Sequence, residues 1–599
     1  MDKERIDNIN LLWAKLIVNR LADYGINHFC YAPGARSAPL TLAAIEHPGV
    51  NSYHHFDERG LAFYALGLAK VTTEPIVIIT TSGSAVANLL PAVAEACYQS
   101  IPLFLLTADR PEELHHCGAN QVMPQLNLFQ DFVCQQVSLA TPTMDIQPDY
   151  VISSVDKLIS EMITRQQVVQ LNCPYREPFL PNIGASSQSK FSASSHTHSE
   201  KFVELFHQTL AKCKLDFSIK LLVRNKLSAI ETTLDLQMPE QAKALVIIGQ
   251  QDDVDTALAI VEWAKGANIP VIADCQSQVQ GHIDTISFAD LSLCHQEFTH
   301  WLSQAQWIIQ FGGRLVSKRL NQWLSTMTCH YWLIEDKAHS GDPLHKVNQH
   351  INQPAECFLK SLSKQSVSFV PWQALNSQVS KHIEEKIKAY TYNDQPLTEL
   401  SLAAEIIQQL DSNDLLYLSN SMPIRLTDML TAQRVTQAPK ILTNRGLSGI
   451  DGLVASACGA AKAKQLNAVN HDEPNGLCVL FIGDTTLMYD LNSLALTTNL
   501  PIVIVVINNH GGGIFNMLPI PTSFLEQGFI QPHQFTFEPA AKMFGLAYAK
   551  IETKTELYHQ FAQARDAKKP CLIEVDVASE QASQQLKQLC RELAYDISG

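Results

Sequence analysis

The stretch VLFIGDTTLMYDLNSLALTTNLPIVIVVINNHGGGIF, Val479 to Phe515, constrains this chain more than any other segment. An apolar run ends at Gly483-Asp484, a helical pattern of about a dozen residues follows, and a second apolar run ends at Asn508-Asn509 before three glycines. At about 1.5 Å per helical residue and about 3.3 Å per strand residue, the helix and the returning strand have comparable lengths. Asp484 and Asn509 are therefore expected side by side at the carboxyl edge of a parallel sheet, where open α/β sheets place ligands. A carboxylate, an amide oxygen and the Gly511 carbonyl form an oxygen-only set suited to Mg²⁺, which commonly binds phosphates as well. The glycines permit close approach of a diphosphate. Gly-Asp alone is more often an ordinary helix cap; the Asn-Asn-x-Gly ending tips the reading towards a metal and a diphosphate.

The same alternation recurs along the 599 residues, a length that predicts several domains. In the first third, Val77 to Thr80 and Pro102 to Thr107 flank a small-residue helical segment from Ser84 to Ala96. Further strand candidates are Leu245 to Ile248, Val271 to Ala273, Trp307 to Gln310 and Tyr331 to Ile334. After a helix at Leu397 to Leu410 come Leu415 to Leu418, Cys478 to Ile482, Ile502 to Ile507 and Cys571 to Val577. Two stretches break the pattern, the serine-rich 185–201 and 361–371. The expected fold is α/β: three doubly wound domains with central parallel sheets, at 1–184, 202–360 and 372–599.

Composition excludes several function classes. The formal charge of −15 argues against general binding to nucleic acid or anionic membranes. No apolar run approaches the roughly 18 residues of a membrane span, and the amino end lacks a signal core. The 14 cysteines form no CxxC pair or close cluster, which predicts reduced thiols in a cytoplasm rather than a disulfide framework or zinc site. The His54-His55 and His115-His116 pairs lack an HExxH context and read as loop or core histidines. A nucleotide-binding oxidoreductase would need a GxGxxG at a strand-helix junction, and a standard P-loop needs Gly-Lys; the chain offers neither.

SYHHFDERGLAFYALGLAK places Glu58 at a strand-to-helix junction, where a lone Glu is usually a dipole-favoured cap. Combined with GD…NN, it makes the chain resemble the thiamine diphosphate-dependent enzymes. The resemblance covers an amino-terminal pyrimidine-binding domain, a middle domain and a diphosphate- and metal-binding domain. More narrowly, APGARSAPLTLA, FDERGLA, TSGSAVANLLPAV, LTADRPEEL with GANQ, NCPYREP, SKRL, SNSMPIR, NRGLSGIDGLVA and NNHGGGIF resemble the menaquinone-biosynthesis branch, which joins 2-oxoglutarate to isochorismate.

That resemblance implies a carboligating transferase using thiamine diphosphate with Mg²⁺ or Mn²⁺. Glu58 is implied as the catalytic group on the cofactor's aminopyrimidine, with Thr81, Ser82, Gly483, Ile450 and Ile514 also against the cofactor. Asp484, Asn509 and Gly511 are the implied metal ligands. Carboxylate substrates call for fixed cations and oriented donors; the matching positions are Arg36, Arg110, Asn120, Gln121, Lys318, Arg319, Ser421, Arg425 and Arg445, with Phe515 as an apolar wall. Arg425 and Ser421, one helical turn apart, are expected to grip the succinyl-derived carboxylate. The resemblance further implies a homodimer or dimer of dimers in the cytoplasm, with Glu58 of one subunit meeting the metal-diphosphate domain of another. The chain departs from the usual pattern at Ala35, Thr485, His510 and Gly513. Two rival readings are a relative acting on another 2-oxo acid and a non-catalytic protein retaining the fold.

Overall fold

The computed structural model describes residues 8–180, 204–205, 208–209, 242–337, 341–363, 369–372, 375, 377–391, 396–434, 437–471 and 476–595. The expected linker at 185–201 lies outside the described residues. The chain divides into two compact units, Met1–Ala229 and Ile230–Gly599.

The first unit is built on six strands: β1 (His28–Tyr31), β2 (Asn51–His54), β3 (Ile76–Thr80), β4 (Leu103–Asp109), β5 (Gln135–Ser138) and β6 (Val169–Pro174). They pair in parallel in the order β2-β1-β3-β4-β6-β5. β3 and β4 are buried at every residue, as expected of parallel strands covered by helices on both faces. One face packs Val77, Ile79, Phe104 and Leu106 against Leu16, Ile17 and Val18 of the Ile9–Asp23 helix and Val155 and Ile159 of the Asp149–Arg165 helix.

The second unit holds two more parallel sheets. One contains β7 (Ala244–Ile248), β8 (Val271–Ala273), β9 (Trp307–Phe311), β10 (His330–Ile334) and β11 (Gln349–Ile351), ordered β11-β10-β9-β7-β8. The other contains β12 (Leu415–Leu418), β13 (Lys440–Thr443), β14 (Cys478–Gly483), β15 (Ile502–Asn508), β16 (Ala547–Ile551) and β17 (Cys571–Asp576), ordered β13-β12-β14-β15-β17-β16. The two six-stranded sheets thus share one winding, and all three sheets change direction beside their first strand. Carboxyl-end crevices open at such points.

Every residue of β15 is buried, and the alternate residues Val503, Val505 and Ile507 face a core shared with Leu245, Ile308, Leu416, Val479 and Leu586. Polar contacts reinforce that core. Gln278 accepts from Ile441 N (3.0 Å) and donates to Ile441 O (2.9 Å), while Asp428 accepts from Cys275 N (2.9 Å). Burial, then the charges of Asp274 and Asp290, push the Asp428 carboxyl well above its ordinary range.

The strand expectations agree with the observed strands to within a residue or two, and the helix expected at Leu397 to Leu410 spans Glu399–Gln408. The crossover helix differs. The expected single helix of about a dozen residues is an α-helix at Asp484–Tyr489 followed by a 3₁₀ segment at Leu491–Thr497. Fully buried Asp490 breaks it, because its carboxylate accepts from Ala455 N (3.0 Å) and Ser493 Oγ (2.8 Å), competing with the helical ladder. Asp490→Ala strands the buried Ala455 N–H and is expected to cost about 1–3 kcal/mol. Urea unfolding of the cofactor-free protein checks this, and an unchanged midpoint contradicts it.

Candidate active site

Pairing of β14 with β15 aligns Gly483 with Ile507, so the residues that follow, Asp484 and Asn508-Asn509, leave the sheet next to each other. Asp484 opens a helix, and its Oδ2 accepts from Gly511 N at 2.9 Å. Gly511 has φ +142°, and a Cβ there would meet Ile530 O at 2.3 Å, so only glycine lets the loop close on Asp484. Asn509 Nδ2 donates to Glu399 Oε1 at 2.8 Å, while buried Asn509 Oδ1 has no hydrogen-bond partner.

These groups line a cavity of about 130 Å³ at the carboxyl ends of β12, β14 and β15. It brings together Ser421, Ile450, Gly483, Asp484, Asn509, Gly511, Ile514 and Phe515 from the sequence-derived set. Ser421 precedes the Met422–Leu430 helix with φ +74°, a strained conformation for a residue with a Cβ and of the kind that gathers at functional sites. Arg425 Nη1 donates to Ser421 O at 2.6 Å, so the two residues are linked across one turn. Arg445 Nη1 donates to Asn420 Oδ1 at 3.3 Å. Burial, then the charge of Arg445, lowers the Arg425 pKa from its ordinary value. Neither arginine lines the cavity itself; both hold the loop that does.

The other second-unit cations stand elsewhere. Lys318 is exposed, and Arg319 forms an ion pair with Asp290 and donates to Cys590 Sγ at 2.9 Å. Neither lines the cavity.

In the first unit the corresponding sheet edge carries a second cluster. Arg110 donates to Ser82 Oγ, Gln121 O (3.3 Å) and Gln121 Oε1 (3.4 Å). Arg36 Nη1 donates to Tyr175 O at 2.6 Å, lies over the Phe179 ring, and keeps its buried Nε without a partner. Burial, then the charge of Arg110, lowers the Arg36 pKa. Thr81 sits so close to the preceding loop that a Cβ on Gly34 would meet Thr81 Cβ at 2.3 Å. Asn120 is exposed. Glu58, half-buried, is the first residue of the Glu58–Thr72 helix, whose cap Asp57 accepts from Arg59 N at 3.0 Å.

Sequence reasoning missed two side chains. Glu399 lines the cavity, and burial, opposed by its hydrogen bond from Asn509 and aided by the charge of Asp484, pushes its pKa up to about 7. It lies 110 residues from Asn509 in a first helical turn, where an acid reads as ordinary dipole compensation. His533, half-buried with its imidazole largely covered, stands 3.2 Å from Asp484 Oδ2 and follows no local motif. As for the histidine pairs, His115 Nε2 lies 3.1 Å from Arg110 O and His55 is buried. Among the described residues the one cluster of His, Cys, Asp or Glu with ligand spacing is Asp274, Cys275 and Asp428. Its carboxylates accept backbone N–H groups of Val316, Gln276 and Cys275 and serve the core.

Comparison with known proteins fits this geometry. The family described as "Thiamine pyrophosphate enzyme, N-terminal TPP binding domain" matches residues 13–132, "Middle domain of thiamine pyrophosphate" matches 218–418, and "Thiamine pyrophosphate enzyme, C-terminal TPP binding domain" matches 427–575. A 2-succinyl-5-enolpyruvyl-6-hydroxy-3-cyclohexene-1-carboxylate synthase of Psychromonas ingrahamii is 35% identical over 98% of this chain and 97% of its own length. The synthase of Shewanella frigidimarina is 36% identical over 98% and 99%, and that of Haemophilus influenzae strain Rd is 34% identical over the same shares. The crystal structure of benzoylformate decarboxylase from Polynucleobacter necessarius superposes with a TM-score of 0.65 at 14% identity, covering 95% of this chain and 99% of that one, a likeness of fold. With full-length similarity to these synthases and all three thiamine pyrophosphate enzyme domains in order, the chain belongs to the 2-succinyl-5-enolpyruvyl-6-hydroxy-3-cyclohexene-1-carboxylate synthase family of thiamine pyrophosphate enzymes.

Proposed function

We propose that this enzyme decarboxylates 2-oxoglutarate and adds the resulting succinyl unit in a 1,4 sense to isochorismate, releasing CO₂ and 2-succinyl-5-enolpyruvyl-6-hydroxy-3-cyclohexene-1-carboxylate in menaquinone biosynthesis. The observation that carries the reading is the cavity at the β12-β14-β15 edge, where buried oxygen donors lie beside a loop held by two arginines. The donor set fits Mg²⁺ or Mn²⁺: Asp484 supplies a carboxylate, Asn509 an unpartnered buried amide oxygen, and Gly511 a carbonyl, hard ligands for a hard cation. Gly512 and Gly513 line the same cavity, in which the diphosphate would lie.

Thiamine diphosphate, when bound, supplies the carbon nucleophile and accepts the electron pair left when CO₂ departs. Glu58 holds a proton at the cofactor's pyrimidine nitrogen. Ile450 would pack against the cofactor, and Ile514 and Phe515 would exclude water from the reacting carbons. Ser421 and Arg425 bind the distal carboxylate of 2-oxoglutarate, with Arg445 alongside. Arg36, Arg110, Asn120 and Gln121, with Thr81 and Ser82 beside the cofactor, serve the isochorismate side, and Lys318 and Arg319 its neighbourhood. A homodimer or dimer of dimers completes the site, with Glu58 supplied by a second copy, and the enzyme works in the cytoplasm. Its domains are 1–184, 202–360 and 372–599, joined at 185–201 and 361–371; the three sheets fall inside these bounds.

The direct test supplies thiamine diphosphate, Mg²⁺, 2-oxoglutarate and isochorismate and follows CO₂ release and product mass. Formation of the succinylated cyclohexene is expected; its absence with cofactor bound overturns the assignment. Glu58→Gln is expected to slow hydrogen exchange at the cofactor's reactive carbon by about 10²- to 10⁴-fold while leaving the circular dichroism spectrum unchanged. Undiminished exchange contradicts the role given to Glu58. Arg425→Ala removes a charge-assisted contact of about 1.5–3 kcal/mol and is expected to raise KM for 2-oxoglutarate about 10- to 100-fold, leaving KM for isochorismate within about threefold. Equal effects on both substrates argue against the assignment of Arg425.

A further inference from the structure

Glu399 has a geometry that the chain's fold does not require. It is the first residue of the Glu399–Gln408 helix, whose start is locked by a capping box: Ser401 N donates to Thr398 Oγ1 at 3.1 Å and Thr398 N donates to Ser401 Oγ at 2.8 Å. Its neighbours Leu400 and Leu402 are fully buried. The side chain is therefore fixed, at 1% exposure, with its carboxylate against the cavity. Oε1 accepts the Asn509 amide, and Oε2 is buried without a hydrogen-bond partner. A helix start already satisfied by Thr398 gains little from a buried carboxylate, and an acid half-partnered near Asp484 opposes folding of the cofactor-free protein.

The contact has a directional consequence. A carboxylate only accepts hydrogen bonds, so it selects the amide orientation in which Nδ2 faces Glu399. In the planar amide the oxygen then points away from Glu399, and it is this Oδ1 that is buried and unpartnered. Without an acceptor at that position, rotation about the terminal bond of Asn509 would present nitrogen, which binds no cation, as readily as oxygen.

We propose that Glu399 is a positioning residue for the divalent cation: it fixes the Asn509 amide with its oxygen towards the cavity and adds a negative charge beside the ion. The proposal rests on the reading that Asn509 is a metal ligand, and it assigns Glu399 no contact with the metal. Outer-shell partners of this kind are typically worth about 10- to 100-fold in metal affinity.

The test is Mn²⁺ titration of the full-length protein with saturating thiamine diphosphate, following the signal of free Mn²⁺ by electron paramagnetic resonance. The melting temperature of the cofactor-free protein is measured alongside. Glu399→Leu keeps the volume and removes the acceptor. It is expected to weaken Mn²⁺ about 10- to 100-fold and to leave the melting temperature unchanged or raised, which a merely structural residue would not do. Glu399→Gln keeps an acceptor for Asn509 Nδ2 but loses the charge, and is expected to restore part of the affinity. Mn²⁺ affinity within about threefold of wild type in Glu399→Leu, while Asn509→Ala abolishes binding, overturns the role of Glu399 and leaves the metal site standing. A wild-type protein without saturable Mn²⁺ binding overturns both. Should Glu399→Leu fail to fold, Glu399→Gln carries the test, and affinity equal to wild type overturns the proposal.

Discussion

The parallel pairing of β14 with β15 is the constraint on which the site depends. Six backbone partners, from Cys478 with Ile502 to Gly483 with Ile507, fix the register and hence the level at which the chain leaves each strand. A slip of one residue would turn Val503, Val505 and Ile507 to the opposite face of the sheet and displace Asn509 from Asp484. The closure of Gly511 onto Asp484, the Glu399 contact and the cavity all follow from that register. Apolar burial within the sheet thus sets the geometry of a polar site, and the entropic cost of ordering its donors is met within the folded core.

Much of this was legible in the sequence because it is local. Apolar runs bounded by Gly, Asp and Asn mark the strands, and Gly483-Asp484 and Asn508-Asn509 announce the crossover at whose ends the donors lie. Glu58 stands at the helix start that its flanking residues predict. Features set by tertiary contact were hidden. Asp490 looks like an ordinary helical residue until Ala455 N is seen to need an acceptor. Glu399 and His533 reach the site from distant elements, and no spacing rule links them to Asp484. Nor does any local motif announce the partners of Arg319, whose guanidinium engages Asp290 and Cys590.

Charge teaches a related lesson. An acidic chain of net −15 repels polyanions at long range, yet its sites depend on where a few charges are fixed. Asp484 and Glu399 bring two buried acids to the cavity, while Arg425 and Arg445 secure the Ser421 loop beside it. On the first unit burial, then the charge of nearby Arg110, lowers the hold of Arg36 on its proton. Such like-charge proximity is costly without an anion and favourable with one, which is the electrostatic form expected of a site for carboxylate substrates.

A metal-bound diphosphate at the β14-β15 edge is open to anomalous diffraction from crystals grown with Mn²⁺ and thiamine diphosphate. It predicts one strong peak per chain within ligand distance, about 2.0–2.3 Å, of Asp484, Asn509 Oδ1 and the Gly511 carbonyl. A peak at Asp274, Cys275 and Asp428 instead, or cofactor density elsewhere with this cavity empty, would contradict it.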